Sequence, residues 1–380
     1  MNKKHVFLYT VLRPLVAVFL KIKFGYTYKK AKNLPKSPYI VLSNHVTDFD
    51  PLFVGVSFPQ MYFVGSEHIS RWGFAFKLIK FALDPILRYK GTSASHAILD
   101  ILRRVRKGAN VCMFAEGVRS WDGMPSPIAP TTGQLIKSAR CALITYKISG
   151  GYFVSPMWSQ GGTRRGYIHG EPVAIYTQEE LASMSVDEIN EIINRDLYED
   201  AYARQAESPK KYKGKQPAFR MESMLYICPF CSAHDSMHSE KDKVECKECK
   251  QGFTYDEFGM LHGLPYDTVK ALAAWQKDKM RDDIENKVVY KANGARVSTV
   301  KDHEETFVCE SELSMTNDEL CFGDITIPIS DISDLAMHGK YTLVLSVGKD
   351  YYEIVIPQDS NAYKFFIKYK ELTALTALQK

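Results

Sequence analysis

The sequence predicts a layered α/β core with a largely parallel sheet, followed by a small cysteine-paired module and a β-rich C-terminal domain. Three observations carry this. Between residues 38 and 158, short apolar runs alternate with amphipathic helical patterns, the order that builds βα units on a parallel sheet. Residues 226–256 hold two C-x-x-C pairs. From about residue 287, β-branched and aromatic runs alternate with turn residues.

Taken in order, "HVFLYTVLRPLVAVFL" (5–20) is apolar but carries Arg13 and Pro14 in its middle and is followed by Lys21, Lys23, Lys29 and Lys30. No small-residue cleavage site follows it, so residues 1–28 are expected to form an interfacial or re-entrant membrane anchor whose lysines meet anionic headgroups. A core helix kinked at the proline is the alternative. "PYIVLS" (38–43) reads as a buried strand, "PLFVGV" as a helix with Pro51 in its first turn, and "QMYFVG" (60–65) as a strand. "ISRWGFAFKLIKFAL" (69–83) is a basic aromatic helix, and "ASHAILDILRRVRKG" (94–108) an amphipathic helix closed by Gly108. "NVCMFAEG" is a strand running into a glycine turn, residues 131–147 are a helix leading to a strand, and "YFVSPMW" (152–158) is a further strand. An acidic helical stretch spans 177–202, and "ESPKKYKGKQP" (207–217) is a polar linker. Beyond the cysteines come a charged helix, a hairpin turning at "GKD", and a terminal amphipathic helix capped by Asp359 or Ser360, with Ala362, Phe365, Phe366, Tyr369 and Leu372 near one face. The expected domains are 1–28, 29–205, 222–262 and 285–380.

Composition, 45% hydrophobic and 24% charged, excludes wholesale disorder. Charge is uneven: residues 1–91 carry 14 Lys and Arg against 4 Asp and Glu, a net of +10, within a chain of net +5. A basic, aromatic N-terminal quarter points to a membrane or phosphate partner ahead of nucleic acid. Eight cysteines in 380 residues are no disulfide framework and fit a reducing compartment.

Two stretches could do chemistry. In "SNHVTDFDP" (43–51), a neutral His45 at a strand end could remove a proton from a hydroxyl if a carboxylate fixed its tautomer. Spacing slightly favours Asp50 as that partner, with Asp48 as a helix cap, but leaves both open. In "FAEGVRS" (114–120), a turn after a strand brings free backbone N–H groups and Arg119 together, the chemistry that holds phosphate oxygens. Arg88, ending "ALDPILR", stands at another predicted strand end.

In this order, "NHVTDFD", "ALDPILR", "FAEGVRS" and "VSPMW" resemble the four blocks of the glycerophospholipid acyltransferases, the 1-acyl-sn-glycerol-3-phosphate (lysophosphatidate) type above all. The first block's spacing selects Asp50. The third is matched at Phe114, Glu116, Gly117, Arg119 and Ser120, with Ala115 and Val118 replacing proline and threonine; the second keeps Ile86 and Arg88, the fourth only Pro156. The resemblance covers roughly residues 1–200. It implies that His45, oriented by Asp50, deprotonates a glycerol hydroxyl that attacks an acyl thioester directly, with no acyl-enzyme and Cys112 left to packing. It implies that Arg119 and the Glu116-Gly117 turn hold the acceptor phosphate, assisted by Arg88. The donor would be acyl-CoA or acyl-carrier protein, with no organic cofactor, and the enzyme would work on the cytoplasmic face of a membrane in phospholipid biosynthesis. Other acceptors (glycerol 3-phosphate, dihydroxyacetone phosphate, another lysophospholipid) and a non-catalytic membrane adaptor are the alternatives.

Cys228, Cys231, Cys246 and Cys249, with 14 residues between the pairs, offer four thiolates for one closed structural zinc site and resemble a zinc ribbon. His234, His238 and His262 are surplus to it, and the interleaved charges do not indicate nucleic-acid binding. The β-rich end looks like a small PH-like barrel whose protein partner, if any, the sequence does not name.

Overall fold

The computed structural model describes residues 3–36, 38–66, 69–70, 73–88, 95–301 and 304–378. The chain divides into two compact units, Met1–Met157 with Thr163–Gly214, and Trp158–Gly162 with Lys215–Lys380.

The first unit begins with helix α1 (Lys3–Phe24), which runs unbroken through Pro14 and ends at Gly25, whose φ of 79° is the left-handed stop a glycine supplies. α1 is therefore one continuous helix, and its 22 residues are long and apolar enough to cross a membrane by length and composition. Arg13, the charge that interrupts it in sequence, turns to the protein side and donates to the carbonyl of Phe58.

Strands β1 (Tyr26–Tyr28), β2 (Tyr39–Ser43), β3 (Tyr62–Ser66), β4 (Ile86–Arg88), β5 (Val111–Phe114), β6 (Ala142–Ser149) and β7 (Ile168–Tyr176) form one sheet in the order β1-β7-β6-β2-β5-β3-β4. Every neighbouring pair is parallel except β6 and β7. β2 lies at the centre and is buried along its whole length, which is why it reads as an uninterrupted apolar run. Burial of Ile40, Val41 and Leu42 contributes about 1.5–3 kcal/mol each and fixes where the chain leaves the sheet, at Asn44.

Helices α2 (Asp50–Gly55), α3 (Phe74–Leu83), α4 (Ser95–Arg106) and α5 (Thr131–Ala139) follow in the expected places. α3 starts only after Gly73, at φ 57°, while Arg71 and Trp72 of the expected longer helix lie outside the described residues. The acidic stretch resolves into α7 (Gln178–Ser183), α8 (Val186–Leu197) and α9 (Ala201–Glu207), after the short α6 described next. Thr177/Glu180 and Ser185/Glu188 close capping boxes on the first two.

One expectation fails outright. Residues 152–158 are not a strand: α6 (Gly151–Val154) is a single helical turn there. Gly150, at φ 81°, turns the chain back after β6, and Gly151 lies so close to the 44–47 loop that a Cβ would meet Val46 Cγ2 at 2.3 Å. The strand that completes the sheet is β7, which the sequence reading missed because glycine and proline break its pattern; Pro172 sits at a register shift against β6. The 207–217 linker is also partly packed, with Tyr212 buried.

In the second unit, β8 (Met237–Glu240), β9 (Lys243–Cys246), β10 (Gly252–Tyr255) and β11 (Leu261–His262) make an antiparallel four-stranded sheet. α10 (Val269–Glu285) is capped by Thr268. Strands β12 (Tyr290–Lys301), β13 (Glu304–Met315), β14 (Glu319–Phe322), β15 (Ile325–Pro328), β16 (Ile332–His338), β17 (Thr342–Val347) and β18 (Asp350–Val355) form an antiparallel sheet in the order β15-β14-β13-β12-β18-β17-β16. The final helix, α11 (Tyr363–Leu378), receives its early N–H bond from Asn361 rather than from Asp359 or Ser360: Lys364 N–H donates to Asn361 Oδ1 at 2.9 Å. Its buried face includes Ala362, Phe365 and Tyr369 as expected, and also Lys364 and Lys368, which periodicity had no means of placing there.

Candidate functional site

The site lies where β2 and β5 end side by side. Ser43 pairs with Phe114 in the parallel register, so the "NHVTDFD" and "FAEGVRS" loops leave the same edge of the sheet as neighbours. Asn44 anchors the first loop: its amide donates to the Ile148 carbonyl at 2.9 Å and accepts from the Ile148 N–H at 2.8 Å.

His45 Nδ1 is 2.7 Å from Asp50 Oδ2. Asp50 is fully buried and also accepts from the N–H groups of Val46 (2.6 Å) and Thr47 (3.0 Å) and from the Thr47 hydroxyl (2.7 Å). With every partner a donor, the carboxylate is complementary to N–H at His45 Nδ1, leaving Nε2 with its lone pair free to act as base. The imidazole stacks on Phe114 (centroids 4.8 Å apart, 24° between planes) and is about one-fifth exposed, so it is held yet reachable.

Asp48 does not cap α2. It reaches across to the third block, where its Oδ2 accepts from Arg119 Nη1 at 2.8 Å. Arg119 is itself buried, with Nε on the Val46 carbonyl (3.3 Å) and Nη2 on the Ser155 carbonyl (2.6 Å). Glu116 is buried as well: Oε1 accepts the N–H of His45 (3.1 Å) and Oε2 that of Ser126 (2.7 Å). Burial pushes its carboxyl up to about 7, against the pull of those two bonds. Gly117, at φ 69°, makes the turn, and a Cβ there would lie 3.5 Å from Arg88 Nη1, so the exposed Arg88 guanidinium lies beside the turn. Cys112 is fully buried and burial pushes its thiol far up, which suits packing and not nucleophilic attack. Asn44, the first residue of the first block, Thr47, Ser155 and Ser126 complete the geometry; the last three were not singled out from sequence.

In the second unit the four sulfurs of Cys228, Cys231, Cys246 and Cys249 lie within 4.8 Å of one another, with Cys228–Cys249 and Cys231–Cys246 each at 3.8 Å. Four thiolates around a tetrahedral zinc at about 2.3 Å stand about 3.8 Å apart, whereas a disulfide would need about 2.05 Å. The set fits a metal. His234 and His262 face Asp283 and Asp256 instead.

Residues 25–157 match the model of the Acyltransferase family, a span that holds His45, Asp50, Arg88, Glu116, Gly117 and Arg119. The match supports an acyltransferase. Among solved structures, the 1-acyl-sn-glycerophosphate (LPA) acyltransferase PlsC from Thermotoga maritima is similar over 50% of this chain and 79% of its own, at 16% identity and a TM-score of 0.42. The N-terminal PH domain of human ARAP2 is similar over 24% of this chain and 84% of its own, at 9% identity and a TM-score of 0.20. The comparison with curated proteins returns no match.

Proposed function

We propose that the chain moves a fatty acyl group from an acyl thioester, acyl-CoA or acyl-carrier protein, to the free hydroxyl of 1-acyl-glycerol 3-phosphate, giving phosphatidate. The observation that carries this is the His45–Asp50 pair, with Nε2 open beside the Glu116–Arg119 turn. His45 Nε2 takes the hydroxyl proton; the oxygen attacks the thioester carbonyl; the C–S bond breaks and the leaving thiolate takes the proton back from the imidazolium. Asp50 stabilises that imidazolium. Arg119, Arg88 and the backbone of the Glu116-Gly117 turn hold the acceptor's phosphate, while the Glu116 carboxylate positions the turn against His45.

The enzyme works at a membrane surface. α1 exposes Phe7, Val11, Leu12, Leu15, Val18, Phe19 and Ile22, and α3 exposes Phe74, Leu78 and Phe81, an apolar display suited to a bilayer that holds acceptor and product. A mainly apolar groove lined by Tyr9, Leu12, Val16, Pro51, Leu52 and Phe63, with Arg13 among them, suits part of an acyl chain. The lysines at the end of α1 favour the anionic cytoplasmic leaflet. Cys228, Cys231, Cys246 and Cys249 hold zinc as a structural ion with no open position for chemistry.

The test is acyl transfer by the purified protein to a panel of acceptors: lysophosphatidate, glycerol 3-phosphate, dihydroxyacetone phosphate, and lysolipids with other headgroups. Lysophosphatidate is expected to be the preferred acceptor. Transfer only to acceptors without a phosphate monoester would overturn the assignment.

A further inference from the structure

The Arg119 guanidinium is held in place by neutral oxygens, those of Val46 and Ser155, and neutralised by one carboxylate, Asp48. The two ends of that ion pair differ sharply. The Arg119 side chain is 9% exposed, whereas that of Asp48 is 74% exposed. Among the described residues, Asp48 makes this single side-chain contact. Removing Asp48 would thus leave Arg119 aligned by its neutral partners, with Nη1 and a positive charge turned toward the solvent side of the site. Asp48 also follows His45 by three residues, so both stand on the loop that leaves β2.

We propose that Asp48 is a displaceable internal anion: it occupies, at Arg119 Nη1, the place the acceptor's phosphate takes, and it sets which headgroup charge the site accepts. This rests on the reading of the site as a phosphate-bearing acceptor site and names the class further, a phosphomonoester dianion. An ion pair with one solvent-exposed end shifts an equilibrium by about two- to fivefold, so a phosphate dianion, with twice the carboxylate's charge, displaces Asp48 readily from Nη1. A phosphodiester headgroup, with one negative charge and a substituent on the phosphate, competes with the carboxylate on poorer terms. Asp48 is then a specificity residue acting through competition for Arg119, not a group that handles the proton.

Asp48→Asn keeps the side chain's size and removes its charge. In acylation assays the variant is expected to show a KM for lysophosphatidate about two- to fivefold lower. It should also accept lysophosphatidylcholine better, relative to lysophosphatidate, than wild type does. Inorganic phosphate, titrated calorimetrically into full-length wild type and variant, is expected to bind the variant more tightly by a similar factor. A KM that rises in Asp48→Asn, or phosphate affinity unchanged or weakened, means that Asp48 props up Arg119 and overturns the proposal. If neither protein acylates any acceptor, the acyltransferase reading fails by itself, and the phosphate titration still decides whether Asp48 competes for Arg119.

Discussion

His45 Nδ1 and Asp50 Oδ2 are 2.7 Å apart, and the same aspartate oxygen accepts the Val46 N–H at 2.6 Å. One carboxylate therefore fixes both the imidazole's tautomer and the loop that carries it. Asp50→Asn disturbs both, because an amide cannot accept from every one of these donors. The expected result is a fall in kcat of at least about a hundredfold, with a smaller change in KM, in steady-state acylation assays. A variant within threefold of wild type would remove Asp50 from the mechanism.

Glu116 makes the site pH-dependent. Its two bonds from His45 and Ser126 N–H favour the ionised form, yet burial pushes the carboxyl up to about 7 from an ordinary 4.5. The folded state therefore holds this proton more tightly than the unfolded chain. Its contribution to stability is complete below pH 4.5 and is lost as pH rises through about 7. Activity runs the other way, since protonation takes an acceptor from one loop N–H. In Glu116→Gln the acid limb of kcat/KM should become shallower and move to lower pH, with kcat reduced about ten- to a hundredfold by misplacement of His45. An unchanged limb would place the titration elsewhere.

Much of this site was legible in the sequence, because its chemistry rests on side chains at short spacings. "NHVTDFD" and "FAEGVRS" each follow an apolar strand, and parallel pairing of those strands brings the loops together. What escaped was whatever depends on partners distant in sequence. Asp48 looked like a cap until Arg119, 71 residues away, became its partner. The turn at 151–154 looked like a strand because its apolar residues pack inward from a helical turn as well as from an extended chain. The lysines of α11 are buried because carbonyls from other segments receive them, joined at Lys364 by the Asp235 carboxylate.

Lys368 supplies a second pH signature, this one of stability. Its Nζ donates to the Val288 carbonyl and lies 4.7 Å from the Tyr290 ring centroid; burial holds its pKa down to about 8 from 10.5. The unfolded chain binds this proton more tightly, so the penalty is full below pH 8 and disappears as pH rises toward 10.5. In thermal melts, Lys368→Met should gain stability relative to wild type at pH 7, compared with the same difference at pH 10. A pH-independent difference would show that Lys368 is charged to the same extent folded and unfolded.

Zinc is expected at one ion per chain by elemental analysis, lost in Cys228→Ser. Since ligand geometry and folding are coupled, a strong chelator should lower the melting temperature of the second unit's transition. A metal-free wild type with an unaltered melt under chelation would contradict the site.

The apolar display on α1 is open to direct test. Phe7→Ser, Leu15→Ser and Ile22→Ser combined should reduce co-sedimentation with phosphatidylglycerol-containing vesicles, each exposed apolar side chain contributing of order 1 kcal/mol. Binding equal to wild type would assign the membrane contact elsewhere.

The central claim is that His45 removes the acceptor's proton, and the most direct measurement is transfer of a radiolabelled acyl group to lysophosphatidate by wild type and His45→Ala. Labelled phosphatidate from wild type, with the variant lowered by at least about a hundredfold, is the result expected. Equal incorporation by the two proteins would contradict it.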